Sequence, residues 1–261
     1  MKSDKILKLL SITALIILLI FTSIPIMLII VRGAKCLPDC LRSQEILSSI
    51  GLSITTSLIS TGICLFFSIP TAYALARYDM PFKKIISTII YLPMSLPHIV
   101  SGIALLLFFG NTAFGDFLSG LGIDFVFTVK GIVAAQVFVN IPYMVKILRT
   151  AIEAVNPKME FIARTLGSNS IKAFFYITLP LIKNGLIASV VMTWSKALGE
   201  FGAVLMLAGA TRYKTETLPI AIFLNMSTGE LDTAIATATI LIIISLVSIA
   251  IFELFGLDYK E

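Results

Sequence analysis

Residues 156–180 read NPKMEFIARTLGSNSIKAFFYITLP, a charged segment with long apolar stretches on both sides. Asn156 has the form of an N-cap, Pro157 suits the first helical position, and Gly167 falls where a left-handed C-terminal cap would stop the helix. The pattern predicts a helix from Pro157 to Leu166. Within it Met159, Ile162, Ala163 and Leu166 recur at i, i+3, i+4 and i+7, an apolar stripe opposite Lys158, Glu160, Arg164 and Thr165. A helix about 15 Å long does not hold together alone in water. It needs a surface to pack on, and a polar helix set inside an apolar chain is expected to dock something.

The rest of the chain is apolar enough to live in a bilayer. Of its 261 residues 57% are hydrophobic and only 13% charged, with a mean hydropathy of +0.99. That composition excludes a soluble domain of this size and points to an all-α polytopic membrane protein. Stretches able to cross roughly 30 Å of hydrocarbon as helices run over Leu9–Val31, Gly51–Leu75, Ile85–Phe108, Gly131–Leu148, Leu181–Leu207 and Thr233–Phe255. Six transmembrane helices and one polar loop near 150–180 make a single transmembrane domain over residues 1–261. The short connections leave no room for a soluble catalytic domain.

The basic residues orient the spans. Lys2, Lys5, Lys8, Arg77, Lys83, Lys84, Lys146, Arg149, Lys158, Arg164, Lys172, Lys183 and Lys260 fall on one side; Arg32, Lys35, Arg42, Lys130, Arg212 and Lys214 fall on the other. This asymmetry puts both termini and the Asn156 segment in the cytoplasm, with Lys196 inside a span. The net charge of +5 is thus a topology signal. No basic stripe interleaved with aromatics suggests nucleic acid. The first span follows three lysines but is longer than a signal-peptide core and lacks a small-residue cleavage site, so it reads as a retained helix. Cys64 reads as an apolar filler, while Cys36 and Cys40, four apart in the first external loop, could be free or paired.

Several signatures are missing. There is no G-x-x-x-x-G-K-[ST] loop, nucleophile elbow, carboxylate pair or zinc-type cluster, and the single His98 cannot anchor a metal centre alone. The sequence therefore offers no catalytic residue and no metal site.

Polar residues inside the spans supply the candidates for a path. Ser189, Thr193, Lys196 and Glu200 recur at i, i+4, i+7 and i+11 in the fifth span, and Ser95, His98 and Gly102 at i, i+3 and i+7 in the third. Ser53, Thr56, Ser57 and Ser60 form a hydroxyl row in the second, read as packing. His98 reads either as a packing residue or as a binding group. Pro93 and Pro97 flank Ser95, which argues for a broken helix whose freed carbonyls line a cavity. Lys196 and Glu200 read either as an i, i+4 ion pair or as part of a path or gate. Gly199, Gly202 and Ala203 would permit close helix approach at such a gate.

With these residues laid out, the 156–180 segment resembles the EAA loop of ABC importer permeases, E-A-A-x-x-x-G, nine residues, then I-x-L-P. Ala163, Gly167, Ile177, Leu179 and Pro180 match at the right spacing, whereas Phe161 and Ile162 replace the Glu and first Ala, and Glu160 stands one position early. IPTAYALARYDMPFK (69–83), LPMSLPHIVSGIALL (92–106) and ALGEFGAVLMLAGATRYKTETLPIAIF (197–223) resemble sulfate, molybdate and tungstate permeases, the last being similar to the archaeal-type molybdate/tungstate branch.

The resemblance implies a permease subunit without enzymatic activity of its own. Two copies of the chain would form a homodimer in the cell membrane, two cytoplasmic ATPase subunits would carry the ATP and Mg, and an external binding protein would deliver the oxyanion. Met159, Glu160, Ala163, Arg164, Thr165, Leu166 and Gly167 would couple to the ATPase. Ser95, His98, Ser189, Thr193, Lys196, Glu200 and Gly202 would line a path or gate on the dimer axis. Sulfate is the alternative solute, and an ion-gradient-driven secondary transporter the alternative class.

Overall fold

Pro25, Pro70 and Pro142 sit inside long helices without ending them, whereas the paired prolines at 93 and 97 break the chain sharply. A computed structural model describes the backbone of residues 2–256 and the side chains of residues 5–250. The side chain of Lys2 and all of Lys260, both counted with the cytoplasmic charges, lie outside those bounds.

The helices are α1 (Lys2–Gly33), α2 (Leu37–Cys40), α3 (Gln44–Arg77), α4 (Lys83–Tyr91), α5 (His98–Gly110), α6 (Ala113–Gly120) and α7 (Val129–Ala154). They continue as α8 (Pro157–Thr165), α9 (Ser170–Ala173), α10 (Leu179–Leu181), α11 (Lys183–Leu198), α12 (Gly202–Ala208), α13 (Leu218–Ser227) and α14 (Leu231–Gly256). A 3₁₀ turn, Leu92–Met94, follows α4, and a π-helical turn, Phe174–Thr178, joins α9 to α10. No strand occurs among the described residues.

Four of the helices, α1, α3, α7 and α14, are long and apolar enough to cross a membrane singly. Two further spans are bent pairs: α4 with its 3₁₀ turn meets α5 at 107°, and the α9–α10 segment meets α11 at 74°. Counting each bent pair as one span gives six, the number the sequence suggests, with the third and fifth broken.

The third breaks at the Pro93–Pro97 site. The fifth departs from the continuous helix expected over Leu181–Leu207: α11 ends at Leu198, Gly199–Phe201 lie outside the helix, and α12 starts afresh at Gly202. Helix α13, a short apolar element absent from the sequence reading, packs on α14 and α3.

The bundle is built on α3 against α7, with α11 wedged against both and against α14. Near the α8 end its core is Leu75, Met144, Leu148 and Ile152; a second cluster joins Leu105, Ile132 and Ala135 to Val204 and Leu207. The hydroxyl row on α3 is buried and bonded, as the packing reading expects. Ser57 Oγ accepts from Trp194 Nε1 at 2.9 Å, and Ser53 Oγ accepts from the Leu218 N–H at 2.7 Å, satisfying one orphan donor of α13. Helix α1 touches the rest chiefly through α14 and exposes apolar side chains such as Leu15, Leu18 and Phe21, which suits lipid or another chain.

Candidate functional site

Helix α8 is capped at both ends as its sequence dictates. Asn156 Oδ1 accepts from the Lys158 N–H at 3.0 Å. At the other end Gly167 has φ +92°, the Ser168 N–H donates to Ala163 O and the Gly167 N–H to Arg164 O. That pair of bonds is the Schellman arrangement, which needs a residue at positive φ.

The helix rests on its polar side. Glu160 is the residue turned into the protein: its carboxylate accepts from Tyr73 Oη at 2.8 Å, Arg77 Nε at 2.9 Å and Thr178 Oγ1 at 2.7 Å. The Glu160 and Arg77 side chains are only 11% and 8% exposed, and Arg77 Nη2 also donates to Val155 O at 2.9 Å. Burial pushes the Glu160 carboxyl up, but the hydrogen bonds from Thr178, Tyr73 and Arg77 and the Arg77 charge together hold it below the ordinary carboxylate value. One side chain thus ties α8 to the end of α3 and to the π-helical turn.

The sequence leaves open which face of the helix rests on the protein. Glu160, on the polar side with Lys158, Arg164 and Thr165, is the anchor. The apolar stripe faces away: Met159, Ile162 and Leu166 are exposed, Leu166 at 82%, with Phe161 beside them and Ala163 half-buried. The cause is Arg77, whose buried guanidinium needs an anionic partner more than the protein surface needs apolar contact. Arg164, Thr165 and Gly167 are exposed next to the stripe.

The two broken spans meet at a second polar contact. Glu200, in the gap between α11 and α12, has a side chain 2% exposed; its Oε2 lies 2.8 Å from His98 Nδ1 and its Oε1 accepts from the Ala203 N–H at 3.0 Å. Gly102 and Gly202 make the approach of α5 and α12 possible. A Cβ on Gly102 would stand 2.7 Å from Met206 Cβ and 2.8 Å from Ala203 Cα; one on Gly202 would stand 3.1 Å from His98 Cβ. Lys196 does not pair with Glu200. Its Nζ sits 4.0 Å from the centroid of the Tyr143 ring.

The stripe expected along the fifth span is therefore divided. Ser189 and Thr193 are buried within the chain, Glu200 faces α5, and of the four only Lys196 is exposed. Gly202 and Ala203 pack closely on α5 within the chain. Ser95, exposed, donates to Leu92 O at 2.8 Å, and the His98 side chain is 42% exposed. Tyr73, Arg77 and Thr178, which hold Glu160, escaped the sequence reading, although two of them lie in the quoted IPTAYALARYDMPFK stretch. Cys36 and Cys40 are free thiols, and Cys64 is fully buried. No cluster of three or more metal-ligating side chains occurs among the described residues.

Residues 65–259 match the family described as "Binding-protein-dependent transport system inner membrane component". The chain belongs to this family. Among its relatives, the molybdate/tungstate transport system permease protein of Methanocaldococcus jannaschii is 33% identical over 242 residues, covering 93% of this chain and 94% of that one. The molybdenum transport system permease protein of Mycobacterium tuberculosis is 36% identical over 195 residues, 74% of each chain. A sulfate transport system permease protein of Synechocystis is 29% identical over 224 residues, 85% of this chain and 81% of that one. The permease fold is also that of a membrane chain in the crystal structure of a bacterial alginate ABC transporter bound to its periplasmic protein, with a TM-score of 0.79 at 19% identity over 98% of this permease and 95% of that chain. This permease is a multi-pass membrane component of a transport system.

Proposed function

We propose that this permease carries molybdate or tungstate inward as a homodimer, driven by ATP that two cytoplasmic ATPase subunits bind with Mg and hydrolyse, after an external binding protein delivers the oxyanion. The single observation that carries the reading is α8: a capped helix fixed to the bundle by Glu160 while its apolar face stands free. The face of Met159, Phe161, Ile162 and Leu166 is exposed, and its rigid seat lets force applied there reach α3. Both termini and α8 lie in the cytoplasm in this account. The choice of solute follows the names of the relatives in Methanocaldococcus and Mycobacterium; the Synechocystis relative supports sulfate as the second reading.

An ATPase is also what the electrostatics require. Moving a dianion into a cell negative by about 100 mV costs roughly 4.6 kcal/mol, twice the single-charge value. Lys196, His98 and Ser95 are the residues we assign to the path, since a path between two copies needs side chains exposed on each protomer. Glu200 would repel the solute and serves to hold His98. Leu166→Glu on the free face is expected to abolish co-purification of the ATPase while the six spans still insert; undiminished co-purification would refute the docking assignment. Calorimetry of the binding protein with molybdate, tungstate and sulfate decides the solute.

A further inference from the structure

At the end of α3 remote from Arg77, a second buried carboxylate group has no role in the docking helix or the path. Glu45 stands in the first turn of α3, and Glu216, 1% exposed, lies in the loop that joins α12 to α13. Glu45 Oε2 accepts from Arg212 Nη1 at 3.1 Å, and Glu216 Oε2 accepts from the Tyr213 N–H at 3.1 Å across a turn in which Tyr213 has φ +62°. The other oxygen of each carboxyl, Glu45 Oε1 and Glu216 Oε1, is buried without a donor. The two side chains are within hydrogen-bonding reach of each other. Two carboxylates cannot bond without a proton, and one proton supplies the missing donor.

We propose that Glu45 and Glu216 share one proton, and that this proton closes the α12–α13 loop onto the start of α3. Charge balance requires it. Arg212 offsets one carboxylate, so the second is neutral only when protonated, and an ionised pair would leave an uncompensated buried charge. Among the described residues Arg212 is the cation in an ion pair with this carboxyl group. Across the cavity that Glu45 lines stand Asp39 of α2, Glu230, and Asp232 of α14, with the thiols of Cys36 and Cys40 beside them. Burial, chiefly, and the neighbouring Glu45 push the Glu216 carboxyl up to about 7 against the opposing pull of the Tyr213 N–H and Arg212.

The site faces the compartment opposite α8, because α3 places Glu45 and Arg77 at its two ends, about 48 Å apart along a straight helix. The loop it closes connects α12, tied to α5 through Glu200 and His98, with α13, capped by Ser53. Acid on that side therefore fastens the link between the broken spans, and alkali loosens it. The proposal does not depend on which solute is carried.

Thermal unfolding of the purified chain in lipid nanodiscs, from about pH 5 to about pH 8, reads the proton directly. The folded pKa is raised, so the folded state holds a proton that the unfolded state releases, and stability falls as pH rises from the ordinary carboxylate value of 4.5 to about 7. Relative to Glu216→Gln, which donates to Glu45 at every pH, the folding equilibrium of the wild type should worsen by about a hundredfold across that interval. Glu45→Gln should flatten the profile likewise, and the infrared carbonyl band of a protonated carboxyl, present in the wild type at neutral pH, should vanish in either variant. Equal pH profiles in wild type and both variants, or no such band, would overturn the proposal. So would stabilisation by added magnesium or calcium at pH 8 in place of acid, which would mean that the two oxygens hold a metal ion.

Discussion

Replacing Glu160 by Gln keeps the size and shape of the side chain while removing its charge, so it isolates the anchor of α8. The carboxylate takes three side-chain hydrogen bonds of 2.7–2.9 Å, one of them from a guanidinium that is itself 8% exposed. Bonds to a charged group contribute about 1.5–3 kcal/mol each, and removing one partner of a buried ion pair costs about 3–5 kcal/mol. Glutamine can retain the Oε1 acceptor that Thr178 and Arg77 share, and Arg77 keeps its bond to Val155 O, but the charge opposite the buried guanidinium and the Tyr73 acceptor are lost, so a net loss of about 3 kcal/mol is expected. At 1.4 kcal/mol per factor of ten, that raises the undocked population of α8 about a hundredfold. Amide hydrogen exchange should accelerate by that factor over residues 158–166, since a helix this short does not persist once detached. Amides in the middle of α3 and α7 should not change. Because the folded pKa of Glu160 is lowered, its contribution is present above the ordinary carboxylate pKa and is lost as pH falls through the lowered value; acid should mimic the variant. Wild-type exchange over 158–166 in Glu160→Gln would refute the anchoring role.

Gly167→Val forces a β-branched side chain to φ +92°, a strain of about 1–3 kcal/mol, and should reduce stimulation of the partner ATPase by loaded binding protein; Gly167→Asn, which tolerates that region, should stay near wild type. A cysteine at Ser168 should react with a membrane-impermeant thiol reagent only in inside-out vesicles, and one at Lys214 only in right-side-out vesicles, with the native cysteines removed; the reverse pattern would invert the topology. Gly102→Ala places a Cβ 2.7 Å from Met206 Cβ and should lower the melting temperature, through overpacking of about 1–3 kcal/mol, whereas Gly62→Ala, with open space around it, should not.

Local signals proved readable in this sequence where their physics is local. The Asn156 and Gly167 caps depend on residues within one turn, and both are formed. The break in the third span follows from Pro93 and Pro97, which remove donors and clash with the preceding turn. The side on which α8 rests was not readable, because Tyr73 and Arg77 lie more than a whole span away in sequence and a buried guanidinium outweighs an apolar stripe. The fifth span reads as one polar stripe only if the helix continues through Gly199. It stops there, Glu200 turns to His98, and the helical spacing no longer says which residues share a face. Glu45 and Glu216 show the same limit: each is an ordinary polar residue near the end of an apolar run until the fold brings them together.

In the proposed mechanism an ATPase acting on α8 drives oxyanion entry. Proteoliposomes containing this chain, its partner ATPase and the binding protein, with radiolabelled tungstate outside and ATP inside, test it most directly. Uptake should require ATP, persist when ionophores collapse the proton and sodium gradients, and fall to background when the ATPase is inactivated. Uptake that proceeds without ATP and stops with the ionophores would contradict the account and make the chain a gradient-driven carrier.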